Sequence, residues 1–319
     1  MAAPRVGATQ PRELPFIGFL HPATAESYAS DALGFAQGLE ESGFVEAQNL
    51  AIDYRFANGQ LDRLAMLAAD LVGRPLALIV AGGAAACLAA KAATATIPIV
   101  FVSGFDPARL AASPGSPGGN ATGVSFTTAG LMSKRLGLLR ALVPRATAIG
   151  YLAEDSRAYA SDSPLLPAIG ELKREMLAAA AALGWQVIIA EIGRDRDYEA
   201  AFATFVERRA DALVVASSPV FASDADDIVA LTLLREIPTL FQRRADVIAG
   251  GLISYGASRT EAWRQGGIYV GQILKGATPA AMPVMRSTKL ELVINLTIAK
   301  SLDLAIPPSV LAQADEVIQ

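Results

Sequence analysis

The segment ALIVAGG at residues 77–83 recurs as ALVVASS at residues 212–218. A second match follows in the same order, because IPIVF begins at Ile97 and IPTLF begins at Ile237. Two landmarks repeated in one order are typical of a chain built from two similar halves. The chain has 319 residues, about twice the ~150 residues of a common domain, so each half is long enough to bury its own core.

Short apolar runs alternate with amphipathic helical patterns in both halves, and this order predicts βαβ units around parallel sheets. The predicted strands are residues 16–20, 50–56, 77–81, 98–102, 122–126, 147–153, 185–192, 212–217 and 238–242. The predicted helices are residues 25–42, 61–72, 84–93, 164–183, 198–208 and 224–234. The expected fold class is therefore α/β, with two doubly wound parallel-sheet lobes and a ligand cleft between them. The repeated segments would be the third and fourth strands of each lobe.

A different pattern follows residue 250. A strand at 251–255 precedes a long helix at 259–274, an extended stretch at 284–294 and a short helix at 295–302. These elements do not fit a simple tandem of two closed domains, so we expect the chain to cross between lobes more than once. The expected organisation is a flexible tail at 1–15, an amino-terminal lobe at 16–126 plus 255–285, and a carboxy-terminal lobe at 127–254 plus 286–319.

Composition and charge argue against several classes of protein. The net charge is −4 and basic residues are scattered, which gives no support for nucleic-acid binding. One cysteine, Cys87, precludes an intramolecular disulfide, and one histidine, His21, leaves no His/Cys metal cluster. No phosphate loop or GxGxxG fingerprint is present, so we expect no cofactor. We also expect no intrinsic membrane span, because no apolar run reaches ~18 residues.

Ligands of open α/β sheets bind beyond the carboxyl ends of the strands, so the loops there supply the candidate site. Gly82, Gly83 and Ala84 would offer backbone N–H groups, and Ser217 and Ser218 would offer hydroxyls or else cap a helix. The other candidate polar residues in these loops are Thr24, Ser103, Asp106, Ser125, Thr127, Asp155, Arg157, Arg243 and Asp246. The candidate aromatic residues are Tyr28, Phe105, Phe126, Phe221 and Tyr255, for which core packing is the alternative.

Catalysis is difficult to build from these residues. His21 has no evident nucleophile or orienting acid beside it in the sequence. Cys87 lies among alanines on a predicted helix, which is typical of a small buried residue. The residues therefore favour a binding protein over an enzyme.

Many segments, in order and spacing, carry a family resemblance. They include GFVEAQN at 43–49, IVAGG at 79–83, TIPIVFVSGFDP at 96–107 and GGLISYGAS at 250–258, and they continue through KLELVINLTIAKSLDLAIPPSVLAQADEVI at 289–318. From about residue 15 to the end, the chain resembles the ABC-transporter substrate-binding proteins of the branch associated with tryptophan and tyrosine uptake. One departure is DPARLAASPGSPGGN, at 106–120, which differs from the usual family stretch after DP.

The resemblance implies a type I periplasmic-binding-protein fold, whose two lobes close on a small ligand by hinge motion. It implies delivery of that ligand to a membrane ABC permease, by a protein that we expect to be monomeric. It also implies a periplasmic or otherwise extracytoplasmic location, with a signal peptide that is missing from this sequence; a cytoplasmic protein is the alternative suggested by the Pro-rich start. We expect the ligand to be an aromatic amino acid or a small aromatic carboxylate. The alternative function is a ligand-sensing domain that signals to a partner.

Overall fold

Each half of the chain forms a mostly parallel sheet with helices on both faces, and in the second the strand Ile253–Ala257 pairs antiparallel with the strand Leu290–Asn295. The computed structural model describes residues 14–104, 119–126, 129–159, 163 and 165–319. The strands are β1 (Phe16–His21), β2 (Ala51–Phe56), β3 (Leu78–Gly82), β4 (Ile99–Ser103), β5 (Ala121–Phe126), β6 (Ala148–Glu154), β7 (Gln186–Ile192), β8 (Ala212–Val215), β9 (Thr239–Phe241), β10 (Ile253–Ala257), β11 (Met285–Ser287), β12 (Leu290–Asn295) and β13 (Glu316–Ile318).

The helices lie between these strands. They are α1 (Ala25–Glu41), α2 (Leu64–Val72), α3 (Gly83–Ala93), α4 (Met132–Leu142), α5 (Leu166–Ala182), α6 (Tyr198–Glu207), α7 (Pro219–Ser223), α8 (Ala225–Leu234), α9 (Arg244–Ile248), α10 (Arg259–Leu274), α11 (Leu296–Ser301) and α12 (Pro308–Leu311). Short 3₁₀ helices occur at Leu61–Arg63, Ser156–Ala158 and Pro279–Ala281. Within the described ranges, no helix combines the length and the apolarity that crossing a bilayer requires.

The two sheets share one strand order, and this confirms the predicted fold class. The first sheet runs β11-β5-β4-β3-β1-β2, and the second runs β13-β12-β10-β9-β8-β6-β7. In each, the second strand of the lobe lies beside the first, followed by the third, fourth and fifth. The repeated segments ALIVAGG and ALVVASS contain β3 and β8, the third strands, and the IPxxF pair contains β4 and β9, as the sequence predicts.

The chain passes between the sheets three times within the described residues, which confirms the expectation of repeated crossing. It crosses after β5, after β10 and between β11 and β12. The extended stretch at 284–294 contains two strands, since β11 pairs with β5 of the first sheet while β12 pairs with β10 of the second. The expected lobe boundary between residues 285 and 286 falls inside β11. The expected lobe boundary between residues 254 and 255 falls inside β10, which pairs with β9.

Helix α10 packs directly on α1 and thereby belongs to the first lobe, although it follows a strand of the second sheet. A Cβ added at Gly34 would lie 2.1 Å from the Thr260 carbonyl oxygen, and one at Gly38 would lie 1.8 Å from the Arg264 carbonyl oxygen. Only glycine allows two helix backbones to approach this closely. The two glycines therefore fix the place where the chain re-enters the first lobe.

The end of α1 shows the predicted glycine stop. Gly43 adopts φ 82°, and its N–H donates to the Glu40 carbonyl oxygen over 2.8 Å. The Phe44 N–H donates to the Leu39 carbonyl oxygen over 2.9 Å. These bonds satisfy carbonyl groups that a helix end otherwise leaves unpaired.

Each sheet is covered on both faces, and alternate residues of one strand point to opposite cores. In β4, Val100 and Val102 pack in the cluster that contains Phe35 and Trp263, while Phe101 packs with the residues of α2 and α3. Phe101 is fully buried, and replacing such a ring by alanine costs about 3–5 kcal/mol. These rigid, two-sided cores hold the strand ends, and the loops that follow them, in fixed positions.

Candidate functional site

A cleft lies between the carboxyl ends of the two sheets. Its volume is about 160 Å³, and both lobes contribute to its walls. The residues at the first-lobe wall are His21, Pro22, Ala23, Ser27, Leu61, Gly82, Gly83, Ala84, Ala85, Val102, Ser103, Gly104, Phe126 and Arg259. Those at the second-lobe wall are Glu154, Tyr159, Leu165, Ile169, Leu172, Ser217, Ser218, Pro219, Ala222 and Arg243.

Matched positions of the two lobes face each other across this cleft. In both sheets, the first strand of the lobe lies beside the third, and the chain leaves these two strands in opposite directions. Such a reversal of strand order is a topological switch point, and it forms a crevice at the carboxyl ends of the two strands. IGFLHP at 17–22 corresponds to IGYLAE at 149–154, so Pro22 and Glu154 occupy equivalent places. The repeated segments likewise bring Gly82 and Gly83 opposite Ser217 and Ser218.

The amino end of α3 presents backbone rather than side chains to the cleft. Its capping residue, Gly82, makes no side-chain capping bond, and Gly83 has φ 77°. A Cβ at Gly82 would lie 2.1 Å from His21 Cδ2, so the imidazole packs against the bare backbone. The first N–H groups of an α-helix lack partners within the helix and carry partial positive charge, which suits an anion.

Ser217 and Ser218, which face α3 across the cleft, differ from each other in their surroundings. Ser218 caps α7, and its Oγ accepts a hydrogen bond from the Val220 N–H over 3.0 Å. Ser217 is exposed and also borders the cleft. The capping alternative therefore holds for Ser218, which nevertheless lines the cleft.

His21 is buried in an aromatic cluster at the end of β1. Its ring centroid lies 5.1 Å from that of Tyr28 and 6.0 Å from that of Trp263. Its Nδ1 accepts a hydrogen bond from the Ala23 N–H over 3.2 Å. Burial, aided by the charges of Arg259 and Arg243, lowers the pKa of His21 to about 3. The imidazole is therefore neutral near pH 7, with its proton on Nε2.

The two arginines of the cleft each have a carboxylate partner. Arg259 donates from Nε and Nη2 to Asp31 Oδ2, over 2.8 and 2.6 Å. Its guanidinium carbon also lies 5.4 Å from the centre of the Phe126 ring. Arg243 donates to both carboxylate oxygens of Asp246, with a distance of 3.3 Å from Nε to Oδ2. Each pair is close to neutral as a whole.

Glu154 is a carboxylate at the cleft without an ion pair among the described residues. Its Oε2 accepts a hydrogen bond from the Tyr159 hydroxyl over 2.9 Å. Its Oε1 is inaccessible to solvent, and the Ser218 hydroxyl also interacts with the carboxylate. Burial raises the pKa of Glu154, while the nearby hydroxyls of Ser218 and Tyr159 and the charge of Arg196 lower it.

An apolar wall completes the cleft on the side of the second lobe. Leu165 and Ile169, from the start of α5, pack against the first-lobe core together with Tyr159. These three residues therefore contact the first lobe and also line the cleft. A further cavity of about 230 Å³ lies beyond Leu61 and Glu154, and Asp62, Arg194 and Arg196 are among its other lining residues.

Several sequence-predicted site residues lie away from the cleft. Thr24 caps α1 by accepting a hydrogen bond from the Ser27 N–H over 3.1 Å. Asp155 caps the 3₁₀ helix that follows β6 and pairs with the exposed Arg157. Asp246 is the partner of Arg243 rather than a lining residue of this cleft.

Some of the predicted aromatic residues line the cleft and others lie away from it. Phe126, Tyr28 and Phe221 all belong to core clusters, and of the three Phe126 also borders the cleft. Tyr255 lies in β10, where its carbonyl oxygen accepts a hydrogen bond from Arg135 Nε over 2.9 Å. Ser125 is a buried residue of β5. Phe105, Asp106 and Thr127 lie outside the described residues.

Glu154, Tyr159 and Arg259 line the cleft without having been predicted as site residues. The match between IGFLHP and IGYLAE is the sequence signal for Glu154, because it places this residue at the carboxyl end of the first strand of its lobe. The sequence pattern marks Arg259 only as the first residue of a predicted helix. Across the described ranges, His, Cys, Asp and Glu side chains form no group of three or more that could hold a metal ion.

Comparison with known proteins decides the family. The sequence model of the ABC transporter substrate-binding proteins matches residues 17–318. The chain belongs to this family. The resemblance seen in the sequence is thus confirmed, and the protein is a substrate-binding protein of the ABC-transport type.

Individual relatives of this substrate-binding protein carry informative names. A tyrosine-binding protein of Clostridioides difficile is 25% identical over 279 residues, which are 85% of this chain and 76% of that protein. The ABC domain of Streptococcus pneumoniae in complex with L-Trp has a TM-score of 0.83 and 27% identity, covering 96% of this chain and 100% of the other. A conserved domain protein of Vibrio cholerae has the same TM-score and coverage, with 25% identity.

Proposed function

We propose that this substrate-binding protein captures an aromatic amino acid or a small aromatic carboxylate between its lobes and delivers it to an ABC permease. The observation that carries the proposal is the cleft itself, which combines an uncapped helix amino end on one wall with an apolar face on the other. Such a site suits a small molecule with a carboxylate at one end and an apolar body.

The size of the cleft fits one aromatic side chain. Its volume is about 160 Å³, and an apolar cavity of about 150 Å³ holds a benzene molecule. Tyr159, Leu165 and Ile169 line the apolar face, and Phe126 lies at the first-lobe wall. A planar ring would gain burial there without needing polar partners.

The carboxylate of the ligand would bind at the start of α3. The N–H groups of Gly83, Ala84 and Ala85 begin that helix, and the capping residue Gly82 makes no side-chain hydrogen bond to them. Arg259 stands at the same wall, and its Nη1 takes no part in the bonds to Asp31. Hydrogen bonds from these groups would replace the water shell of the carboxylate.

The relatives support this ligand class. Tyrosine is named for the C. difficile protein and L-Trp is bound in the S. pneumoniae structure. The predicted site residues that border the cleft, and to which we assign ligand contacts, are Gly82, Gly83, Ala84, Ser103, Phe126, Ser217, Ser218 and Arg243.

The mode of action that we propose is capture without chemical conversion. Walls from both lobes would bury the ligand as the lobes close about the three crossovers, excluding water from the polar contacts. Delivery to a permease implies a periplasmic or otherwise extracytoplasmic location, and a monomer would suffice for it. His21, the sole histidine of the chain, serves in this account as a neutral wall of the cleft.

Isothermal titration calorimetry with a panel of ligands tests the proposal. The panel contains the aromatic amino acids, aromatic carboxylates, an aliphatic amide and a sugar. We expect heat of binding only with the aromatic amino acids or carboxylates. Binding of the sugar or the amide alone would contradict the proposal. Ala85→Leu, which narrows the cleft, should abolish binding, and Ala182→Leu on the exposed face of α5 should not.

A further inference from the structure

The two lobes also touch beside the cleft, where the loop after β2 meets the loop after β7. Arg196 Nη2, from the second lobe, lies 3.5 Å from the Asn58 carbonyl oxygen of the first. A Cβ added at Gly59 would lie 2.4 Å from the same nitrogen, so the guanidinium packs on bare backbone. Arg194 and Asp62 extend the contact, with 3.9 Å between Nη1 and Oδ2. All five residues lie outside the lining of the cleft.

Arg196 is held in place from its own lobe. Its Nη1 donates to Asp224 Oδ1 over 2.8 Å, and the Tyr198 hydroxyl donates to the other oxygen of the same carboxylate over 2.7 Å. Nη2 is the nitrogen that faces the first lobe. A guanidinium group carries five donors in a rigid plane. One arginine can therefore bond a carboxylate of its own lobe and a carbonyl group of the other lobe at the same time.

The turn that receives Arg196 is bonded to the wall of the cleft. The Gly59 N–H donates to the Pro22 carbonyl oxygen over 2.8 Å, and the Ala57 N–H donates to that of His21 over 2.9 Å. His21 and Pro22 line the cleft. Gly59 adopts φ 73°, a conformation that glycine reaches without steric cost. Arg196 therefore contacts a turn whose position is fixed to that of the cleft wall.

This contact lies far from the crossovers of the chain. β2 and β7 are the last strands of their sheets, whereas β5, β10, β11 and β12 lie toward the opposite ends. The crossover after β5 leads into α4, where Arg135 Nε donates to the Tyr255 carbonyl oxygen of β10 over 2.9 Å. The crossovers thus gather beside β5 and β10. A hinge rotation about them moves the loops after β2 and β7 farthest apart, so opening of the lobes breaks the contact.

We propose that Arg196, Asn58 and Gly59 form a latch that holds the lobes closed over the ligand and slows its release. This inference rests on the proposed function and adds a positioning residue to it, because Arg196 acts on the ligand only through the closed arrangement of the lobes. A contact made only in the closed form shifts the equilibrium toward that form. A ligand buried between the lobes leaves only after they reopen, so the latch governs the dissociation rate.

Stopped-flow kinetics with L-tryptophan and L-tyrosine tests the latch in the whole protein. Gly59→Ala places a methyl group against the Arg196 guanidinium and should raise the dissociation rate about threefold to tenfold, the usual worth of a half-exposed polar contact to a charged group. The association rate should stay the same or rise. Gly43→Ala is the matched control, because Gly43 has a similar φ of 82° but no atom within 4 Å of its added Cβ. That variant should leave both rates unchanged.

Arg196→Ala removes the latch from the other lobe and should raise the dissociation rate by a similar factor. Arg235→Ala is its control, because the exposed Arg235 pairs with Glu199 inside the second lobe over 2.9 Å. Arg196 also carries a charge near Glu154 of the cleft, and Gly59→Ala leaves that charge in place. The double variant should release its ligand no faster than Arg196→Ala alone, since both changes act on one contact.

Thermal melting without ligand checks that each variant folds, and if one of the two does not, the other decides against its own control. A dissociation rate of Gly59→Ala equal to that of Gly43→Ala overturns the latch while the proposed function stands. A lower association rate at unchanged dissociation, or additive effects in the double variant, also overturns it. If neither amino acid binds the wild-type protein, the proposed function fails, and the latch that rests on it fails too.

Discussion

Arg259 Nη2 lies 2.6 Å from Asp31 Oδ2, and this ion pair ties the first residue of α10 to the middle of α1. The same Asp31 oxygen also accepts a hydrogen bond from Trp263 Nε1 over 3.1 Å. Because α10 follows a strand of the second sheet, the pair fixes a crossover of the chain to the first lobe. Arg259 also borders the cleft, so the bond that anchors the crossover also positions a lining residue.

Asp31→Asn should destabilise the protein by about 2–4 kcal/mol. The variant leaves the Arg259 guanidinium without its counter-charge, and breaking a buried pair costs about 3–5 kcal/mol. We expect less than the full value because a quarter of the Arg259 side chain is exposed. Glu41→Gln is the control, since its pair with Arg264 lies at the surface and should contribute at most about 1 kcal/mol. Urea unfolding of the two variants measures the difference, and equal losses would contradict the account.

Gly82→Ala should perturb the cleft and lower the free energy of unfolding by about 1–3 kcal/mol. The added Cβ would meet the His21 ring at 2.1 Å, so the imidazole must leave its place among the aromatic rings. Gly137→Ala in α4 is the control, because no atom lies within 4 Å of its added Cβ. That change should be neutral or stabilising by up to about 1 kcal/mol. An unchanged stability of Gly82→Ala would show that the His21 packing is not as described.

His21 should remain neutral across physiological pH. Its pKa of about 3 lies below the unfolded value of 6.5, so the unfolded chain binds a proton first as the pH falls. His21 therefore stabilises the fold least at low pH, and its contribution falls by about 1.4 kcal/mol per pH unit between 6.5 and 3. As the chain has one histidine, its NMR signal is unambiguous and should not titrate between pH 5 and 8.

A matched variant isolates this contribution. His21→Asn keeps an acceptor for the Ala23 N–H and removes the titrating ring, so its stability should depend less steeply on pH below 6.5. A wild-type signal that titrates near pH 6.5 would show that the ring is solvated.

The positions of most strands in both lobes could be predicted from the sequence, because buried parallel strands are short apolar runs that helical patterns separate. The helices α4, α7, α9 and α12 were not predicted. Three of them, α7, α9 and α12, have only four or five residues, which show no helical period, whereas α4 has eleven residues. Within residues 284–294 we expected the lobe boundary between residues 285 and 286, whereas the division lies between β11 and β12. Its cause is pairing with β5 and β10, which are distant in sequence.

The sequence predicts only some of the residues that line the cleft, because contacts distant in sequence decide the others. Gly82 and Ser217 were found because the repeat marks the end of a strand in both lobes. Tyr28 and Phe221 occupy equally plausible loop positions, yet their rings point into cores, and the sequence does not specify side-chain direction. Arg259 enters the cleft through a crossover, which local pattern does not reveal.

A crystal structure of the protein with L-tryptophan or L-tyrosine tests the central claim most directly. We predict one ligand between the lobes, with its carboxylate at the N–H groups that begin α3 and its ring against Tyr159 and Leu165. An empty cleft at saturating ligand, or a ligand bound elsewhere on the protein, would contradict the account.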